Sequence, residues 1–216
     1  MKNLIILPII LLTMVQIYCQ KKFDVKSDEN ILEIFSIQEI KDLNSIVEYV
    51  DNRVLSVSNK ESLDEAYHDY FGKMSGLFEK DSVFPVHFDE IEKHKFFGNL
   101  NKSTFDAIFR MTTYREKVRY KDTILTNPDN MKILKFNSTG RYMEYLEKVG
   151  QSDKKFKEIH KIIEISGDIP MTVNMWVSDN HEDFDFEIIK NRLWAAISML
   201  RFEGRSDDKI KRFLNK

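Results

Sequence analysis

Apolar residues recur every three or four positions along most of this chain, which is the spacing of helices with one buried face. The two clearest runs extend from Ser36 to Val54 and from Ser62 to Phe78. Each begins with a serine followed three residues later by a glutamate, Glu39 or Glu65, which is the capping-box pattern. The pattern predicts two consecutive helices. Further helices are predicted over residues 88–100, 104–115, 142–149 and 153–165.

The densest apolar segment outside the amino terminus covers residues 184–203. On a helix, its apolar side chains would occupy most of the circumference, which is wider than the stripe of an amphipathic surface helix. We therefore predict a helix enclosed by its neighbours and stopped by Gly204. Two residues depart from its pattern, because Arg192 lies among the apolar positions and Trp194 lies in the polar stripe.

Two segments do not show a clear period. Turn residues at 127–130 separate β-branched runs and indicate a small β-hairpin near 117–137. However, Asn127 could instead cap a helix with Pro128 in its first turn, and we slightly favour that helix. Residues 169–178 alternate like a strand, but Pro170 also suits a helix start, and we predict a helix there.

The composition fits a folded, helix-rich protein. The chain has 216 residues, of which 42% are hydrophobic and 31% charged, with 7 Gly and 4 Pro. No repeat or linker divides it. We predict a mainly α fold, an irregular multi-helix bundle around the buried helix at 184–203. Residues 31–216 would form a single helical domain after a flexible N-terminal segment at 20–30.

The first 19 residues have the layout of a signal peptide. Lys2 precedes an apolar stretch from Leu4 to Val15, and polar sequence begins at Gln20. The stretch is short for a membrane span, which takes about 20 residues. We predict export, to the periplasm or the medium. Cys19 is either the last leader residue or a lipid attachment site, and Tyr18 before it is bulkier than lipoprotein leaders place there.

Cysteine and charge exclude several classes of protein. Cys19 is the only cysteine, so the chain has no internal disulfide, no Cys-ligated zinc and no CxxC pair. The formal net charge is −2, which gives no electrostatic basis for binding nucleic acid. No phosphate-binding glycine loop, dinucleotide fingerprint or nucleophile motif occurs. We therefore predict no cofactor.

Arg192 is one candidate site residue. A buried guanidinium needs a carboxylate partner or a bound anion. The sequence leaves both possibilities open, and we interpret Arg192 mainly as half of a structural ion pair.

A second candidate is a metal site. His87, Glu90 and His94 would lie on one side of a helix, where two imidazoles and a carboxylate could hold a divalent metal. A solvated charged face explains the same residues. The alternating run Asp179, His181, Asp183 and Asp185 lacks the glycine and glutamate of an EF-hand, and we interpret it as charge that favours the start of the next helix.

These observations predict a non-catalytic protein that binds a partner protein in the cell envelope or forms part of an envelope assembly. A helical carrier of an apolar ligand is one alternative, motivated by 16 Phe and 9 Met. A metal-dependent enzyme using His87, Glu90 and His94 is the other. Contact with the membrane is expected only through the leader or a lipid on Cys19.

Overall fold

A computed structural model describes residues 23–78, 88–113, 117–120, 122–126 and 132–202. Over this part the chain is mainly helical, with a small antiparallel β component, as predicted. The helices are α1 Glu29–Ile34, α2 Ile37–Val57, α3 Leu63–Phe78, α4 Glu90–Asn99, α5 Lys102–Ile108, α6 Arg141–Gly150, α7 Lys154–Ser166, α8 Met171–Asp179 and α9 Ile189–Arg201. The strands are β1 Phe109–Thr113, β2 Lys117–Tyr120, β3 Thr123–Thr126 and β4 Lys132–Phe136.

The start of α2 forms by the predicted capping box. The Ser36 hydroxyl accepts the Glu39 N–H at 3.4 Å, and the Glu39 carboxylate accepts the Ser36 N–H at 2.9 Å. These two bonds satisfy amide groups that a helix amino terminus leaves without partners. At the start of α3, Ser62 accepts the Glu65 N–H at 3.2 Å. Both helices therefore begin where their local sequence predicts.

The central helix is shorter at its start than the predicted span of 184–203. α9 begins at Ile189, because the Asp185 carboxylate takes the Glu187 N–H and the Asp185 carbonyl takes the Ile188 N–H in a turn. From Asn191 to Leu200 every residue is buried, which confirms the enclosed helix. α2 packs against α9 and α3, and α3 packs against α8. The predicted stop at Gly204 lies outside the described residues.

The β component corrects two predictions. The helix predicted over 104–115 ends at Ile108, and Phe109 begins β1, which pairs antiparallel with β4. β2 pairs with β3, so the strands on either side of 127–130 pair with other segments and not with each other. The favoured helix interpretation of 117–137 is therefore wrong for the described residues. A small antiparallel pair does occur there, as the alternative predicted, but it is formed by β2 and β3 and does not span the turn residues at 127–130.

Backbone geometry explains the junction between α7 and α8. Gly167 ends α7 in the left-handed conformation, at φ 71°, which glycine adopts without a steric cost. Pro170 then stands at the N-cap of α8, so the prediction of a helix over 169–178 is confirmed. The apolar residues at every second position resembled a strand, but they do not all face the core. Met171 and Met175 are exposed while Val173 and Val177 are buried, an arrangement that a short helix also allows.

The described part of the segment 20–30, for which we predicted flexibility, contains regular structure. A 3₁₀ helix covers Val25–Ser27, and Val25 is fully buried. The Asn44 side chain accepts the Val25 N–H at 3.0 Å and donates to Asp24 at 2.9 Å.

Among the described residues, no helix combines the length and the apolar content that crossing a membrane requires. The predicted leader at 1–19 lies outside the described residues.

Asp168 joins the α7–α8 junction to β4 and α9. Its carboxylate accepts the Phe136 N–H at 3.0 Å and the Arg201 Nε–H at 2.6 Å, and Lys135 lies 3.1 Å away. Burial raises the pKa of Asp168, but the hydrogen bonds and charge of Arg201, with Phe136 and Lys135, outweigh it and hold the pKa below its ordinary value of 3.8.

This lowered pKa predicts a loss of stability in acid. A carboxyl whose folded pKa is lowered contributes its full stability above pH 3.8, and loses it as the pH falls through that value toward the folded pKa. Asp168→Asn should therefore lower the unfolding free energy at neutral pH. It should also weaken the decline in stability that we expect for the native protein as the pH falls from about 5 to values below 3.8.

Urea unfolding followed by circular dichroism across this pH range measures both effects. Asp122→Asn, which removes the same charge from an exposed turn, is the control. An unfolding free energy of Asp168→Asn that declines with acid as steeply as that of the native protein would contradict the prediction.

Candidate functional site

Arg192 lies in the first turn of α9 and faces the carboxyl-terminal half of α2. Its Nε donates to Asp51 Oδ1 at 3.0 Å, and its Nη2 donates to Asp51 Oδ2 at 2.5 Å. Both residues are buried, Arg192 at 4% and Asp51 at 8% exposure. The two parallel hydrogen bonds are the geometry in which a guanidinium binds a carboxylate most strongly. Of the two interpretations left open by the sequence, the structure places Arg192 in an ion pair.

A residue of a third helix, α3, also binds the Asp51 carboxylate of this ion pair. The Tyr67 hydroxyl of α3 donates to Asp51 Oδ1 at 2.9 Å. Burial, and after it the neighbouring Asp51 carboxylate, raises the pKa of Tyr67 well above 10, so the phenol remains a donor. Asp51 thus accepts three hydrogen bonds, which offset the cost of burying its charge.

The pair also forms one wall of a cleft of about 400 Å³. The Phe23 ring covers the guanidinium of Arg192, with 4.2 Å between the ring centre and Cζ. The cleft is lined by residues of the amino-terminal segment, α2 and α9: Phe23, Asp24, Asn44, Ser45, Val47, Glu48, Asp51 and Arg192. Three carboxylates and one guanidinium line it, so its formal charge is negative, and a cationic group is favoured over an anion.

The sequence-predicted metal trio has a different setting. His87 lies outside the described residues. Glu90 is buried and its Oε1 accepts from Lys93 Nζ at 2.8 Å, while Lys93 also donates to the Phe202 carbonyl at 2.6 Å. His94 Nε2 lies 3.8 Å from Glu90 Oε2. Glu90 therefore balances a buried lysine, and the metal site at His87, Glu90 and His94 stays a prediction.

A pair of histidines was missed by the sequence analysis. His68 of α3 and His181, in the 3₁₀ helix His181–Asp183, have their Nδ1 atoms 3.0 Å apart. His181 appears in the alternating run before α9, but His68 stands 113 residues away. Burial lowers the pKa of His181 from 6.5, with Glu182 raising it and His68 lowering it further.

Cys19, the predicted cleavage or lipidation residue, lies outside the described residues.

The chain matches no protein-family profile, no curated protein and no solved structure. The function must therefore be argued from the chemistry of these side chains.

The Arg192–Asp51 pair predicts an asymmetric response to mutation. Arg192→Met leaves the Asp51 carboxylate buried without its countercharge, which should cost about 3–5 kcal/mol of unfolding free energy. The double variant Arg192→Met with Asp51→Asn should recover at least half of that loss, because asparagine carries no charge and still accepts from Tyr67.

Urea unfolding of the single and double variants measures these differences. Lys148→Met is a suitable control, because Lys148 pairs with the exposed Glu33 at the surface, where an ion pair contributes below about 1 kcal/mol. If Arg192→Met lowers the unfolding free energy no more than Lys148→Met does, the buried pair does not stabilise the fold as predicted.

Proposed function

We propose that this chain is an exported, non-catalytic binding protein, and that its acidic cleft receives a positively charged side chain of a partner protein in the cell envelope. The observation that carries the proposal is the negative cleft beside Arg192, which combines charge, an aromatic wall and space in one place. Its volume of about 400 Å³ falls within the range of known binding sites.

The chemistry of the cleft favours a cationic group for three reasons. Arg192 is already bound by Asp51, so its charge is largely compensated. Glu48 is exposed on the α2 wall, and within the described residues no cation pairs with it. The Phe23 ring offers apolar contact for the methylene groups of a lysine or arginine side chain.

The two alternative functions have less support. An apolar ligand needs an enclosed apolar cavity, and within the part of the chain that the structure describes the small cavity beside Tyr70, Phe71 and Met74 holds only about 10 Å³. The larger cleft is too rich in charge to accept a hydrocarbon chain. A metal-dependent enzyme using His87, Glu90 and His94 would need Glu90 as a ligand, although Glu90 already binds Lys93.

Charge reversal in the cleft tests the binding function. Glu48→Lys should abolish capture of a partner from envelope extract, because it places a cation where the partner's cation binds. Glu158→Lys is the matched control, since Glu158 is also an exposed glutamate within a long helix and does not line the cleft. Quantitative mass spectrometry of the proteins that each immobilised variant retains gives the comparison.

The expected result is a protein retained by the native chain and by Glu158→Lys, lost with Glu48→Lys, and released as salt is raised. Equal retention by all three chains would overturn the assignment of the cleft. No specific retention by the native chain would overturn the binding function itself.

Export is tested separately by the mature amino terminus. Expression of the full chain in a bacterium should give a protein outside the cytoplasm whose intact mass begins at Gln20, because the leader at 1–19 is removed. A membrane-bound chain that begins at an acylated Cys19 would show lipid attachment instead. Recovery of the chain in the cytoplasm with the leader intact would contradict export.

A further inference from the structure

From the contact of His68 with His181 we infer a second site, a binding site for a divalent transition metal of the zinc class, formed by His68, His181 and Glu182. Glu182 Oε1 lies 3.7 Å from His181 Nδ1, and one ligand atom from each of the three residues lies within 4.8 Å of the others. The site shares no residue with the cleft beside Arg192 and does not depend on it.

The distance between the two rings suits a shared metal ion. Nitrogen atoms bound to one tetrahedral zinc at about 2.0–2.1 Å lie roughly 3.3 Å apart. The two Nδ1 atoms, 3.0 Å apart, need to separate by only a few tenths of an ångström to admit the ion. A hydrogen bond between the rings would account for the histidine pair, but it would give no role to the nearby Glu182 carboxylate.

A carboxylate lies behind one of the two histidines, as it commonly does behind histidines that bind a metal. Asp64 Oδ2 lies 3.5 Å from His68 Nε2, the ring nitrogen that does not face His181. Asp64 is itself fixed, because its Oδ1 accepts the Phe186 N–H at 2.8 Å. A carboxylate behind an imidazole orients the ring and makes it a stronger ligand, which is the usual arrangement in zinc sites.

The loop that carries His181 is fastened to α3 beside the site. Ser75 donates to Asp179 at 2.6 Å, just before the loop. Gly72, one turn after His68 on α3, leaves the space that the His181 ring occupies, since a Cβ there would lie 3.2 Å from His181 Nε2. A glycine within a helix lowers its stability relative to alanine, and the close approach of this imidazole accounts for its presence.

The set of ligands selects the class of metal. Two imidazole nitrogens and one carboxylate oxygen suit Zn²⁺ and its neighbours in the transition series, whereas Ca²⁺ and Mg²⁺ prefer oxygen ligands. Three protein ligands leave a fourth position for water or for a donor atom from another molecule. Bound metal would fasten the loop between α8 and α9 to α3.

Zinc titration of the untagged, chelator-treated protein tests the site. We expect one equivalent of Zn²⁺ to bind and to raise the melting temperature, and Co²⁺ to give the absorption of a tetrahedral complex. His68→Ala and His181→Ala should each lower the zinc affinity by about 100-fold, and Asp64→Asn by about tenfold. Glu182→Gln, at a side chain that is 83% exposed, should weaken binding without affecting folding.

The controls are His160→Ala, on α7, and His94→Ala, which belongs to the other predicted metal site; both should bind zinc like the native protein. Circular dichroism without metal establishes that each variant is folded. Absence of zinc binding by the native chain, equal affinity in the His68→Ala, His181→Ala and Glu182→Gln variants, or loss of binding in His94→Ala would overturn the inference. None of these outcomes bears on the cleft, whose test uses Glu48.

Discussion

The buried contact of Arg192 with Asp51 fixes how the three inner helices meet. α9 is enclosed along most of its length, and apolar contact alone is non-directional and would not set its position along α2. A buried charge must keep its partner, and Asp51 is also held by Tyr67 of α3. One carboxylate therefore sets the register of α2, α3 and α9 together.

Similar contacts join distant segments at the edge of the core. The Asp42 carboxylate of α2 accepts the Asn101 N–H at 2.9 Å and the Thr104 hydroxyl at 2.6 Å, which ties α2 to the start of α5. Glu39 binds Arg141 at the start of α6, and Asp168 binds Arg201 at the end of α9. Because Cys19 is the only cysteine, no internal disulfide can join these segments. Hydrogen-bonded carboxylates instead fix which helices meet around the apolar core and in what register.

The two proposed binding regions both depend on the placement of α9. Arg192, in its first turn, forms one wall of the acidic cleft, and the loop that carries His181 leads into the same helix. The Arg192–Asp51 contact fixes the wall of the first region, and the Asp64 carboxylate fixes both His68 and the backbone of Phe186 in the second. Rigid elements thus hold the functional side chains, and each site also includes residues of a connecting segment, Phe23 and Asp24 before α1 or His181 and Glu182 between α8 and α9.

The sequence by itself determined the features that local interactions control. Helix caps and apolar periodicity are encoded within a few residues, so the start of α2 at Ser36 and the burial of 191–200 could be predicted. The tertiary structure decided what depends on distant partners. Phe109 extends into a strand because β4 pairs with it, the carboxylate that binds Arg192 lies 141 residues away, and His68 meets His181 across 113 residues. Such pairs are fixed by how the helices pack, and that packing cannot be predicted from a local sequence pattern.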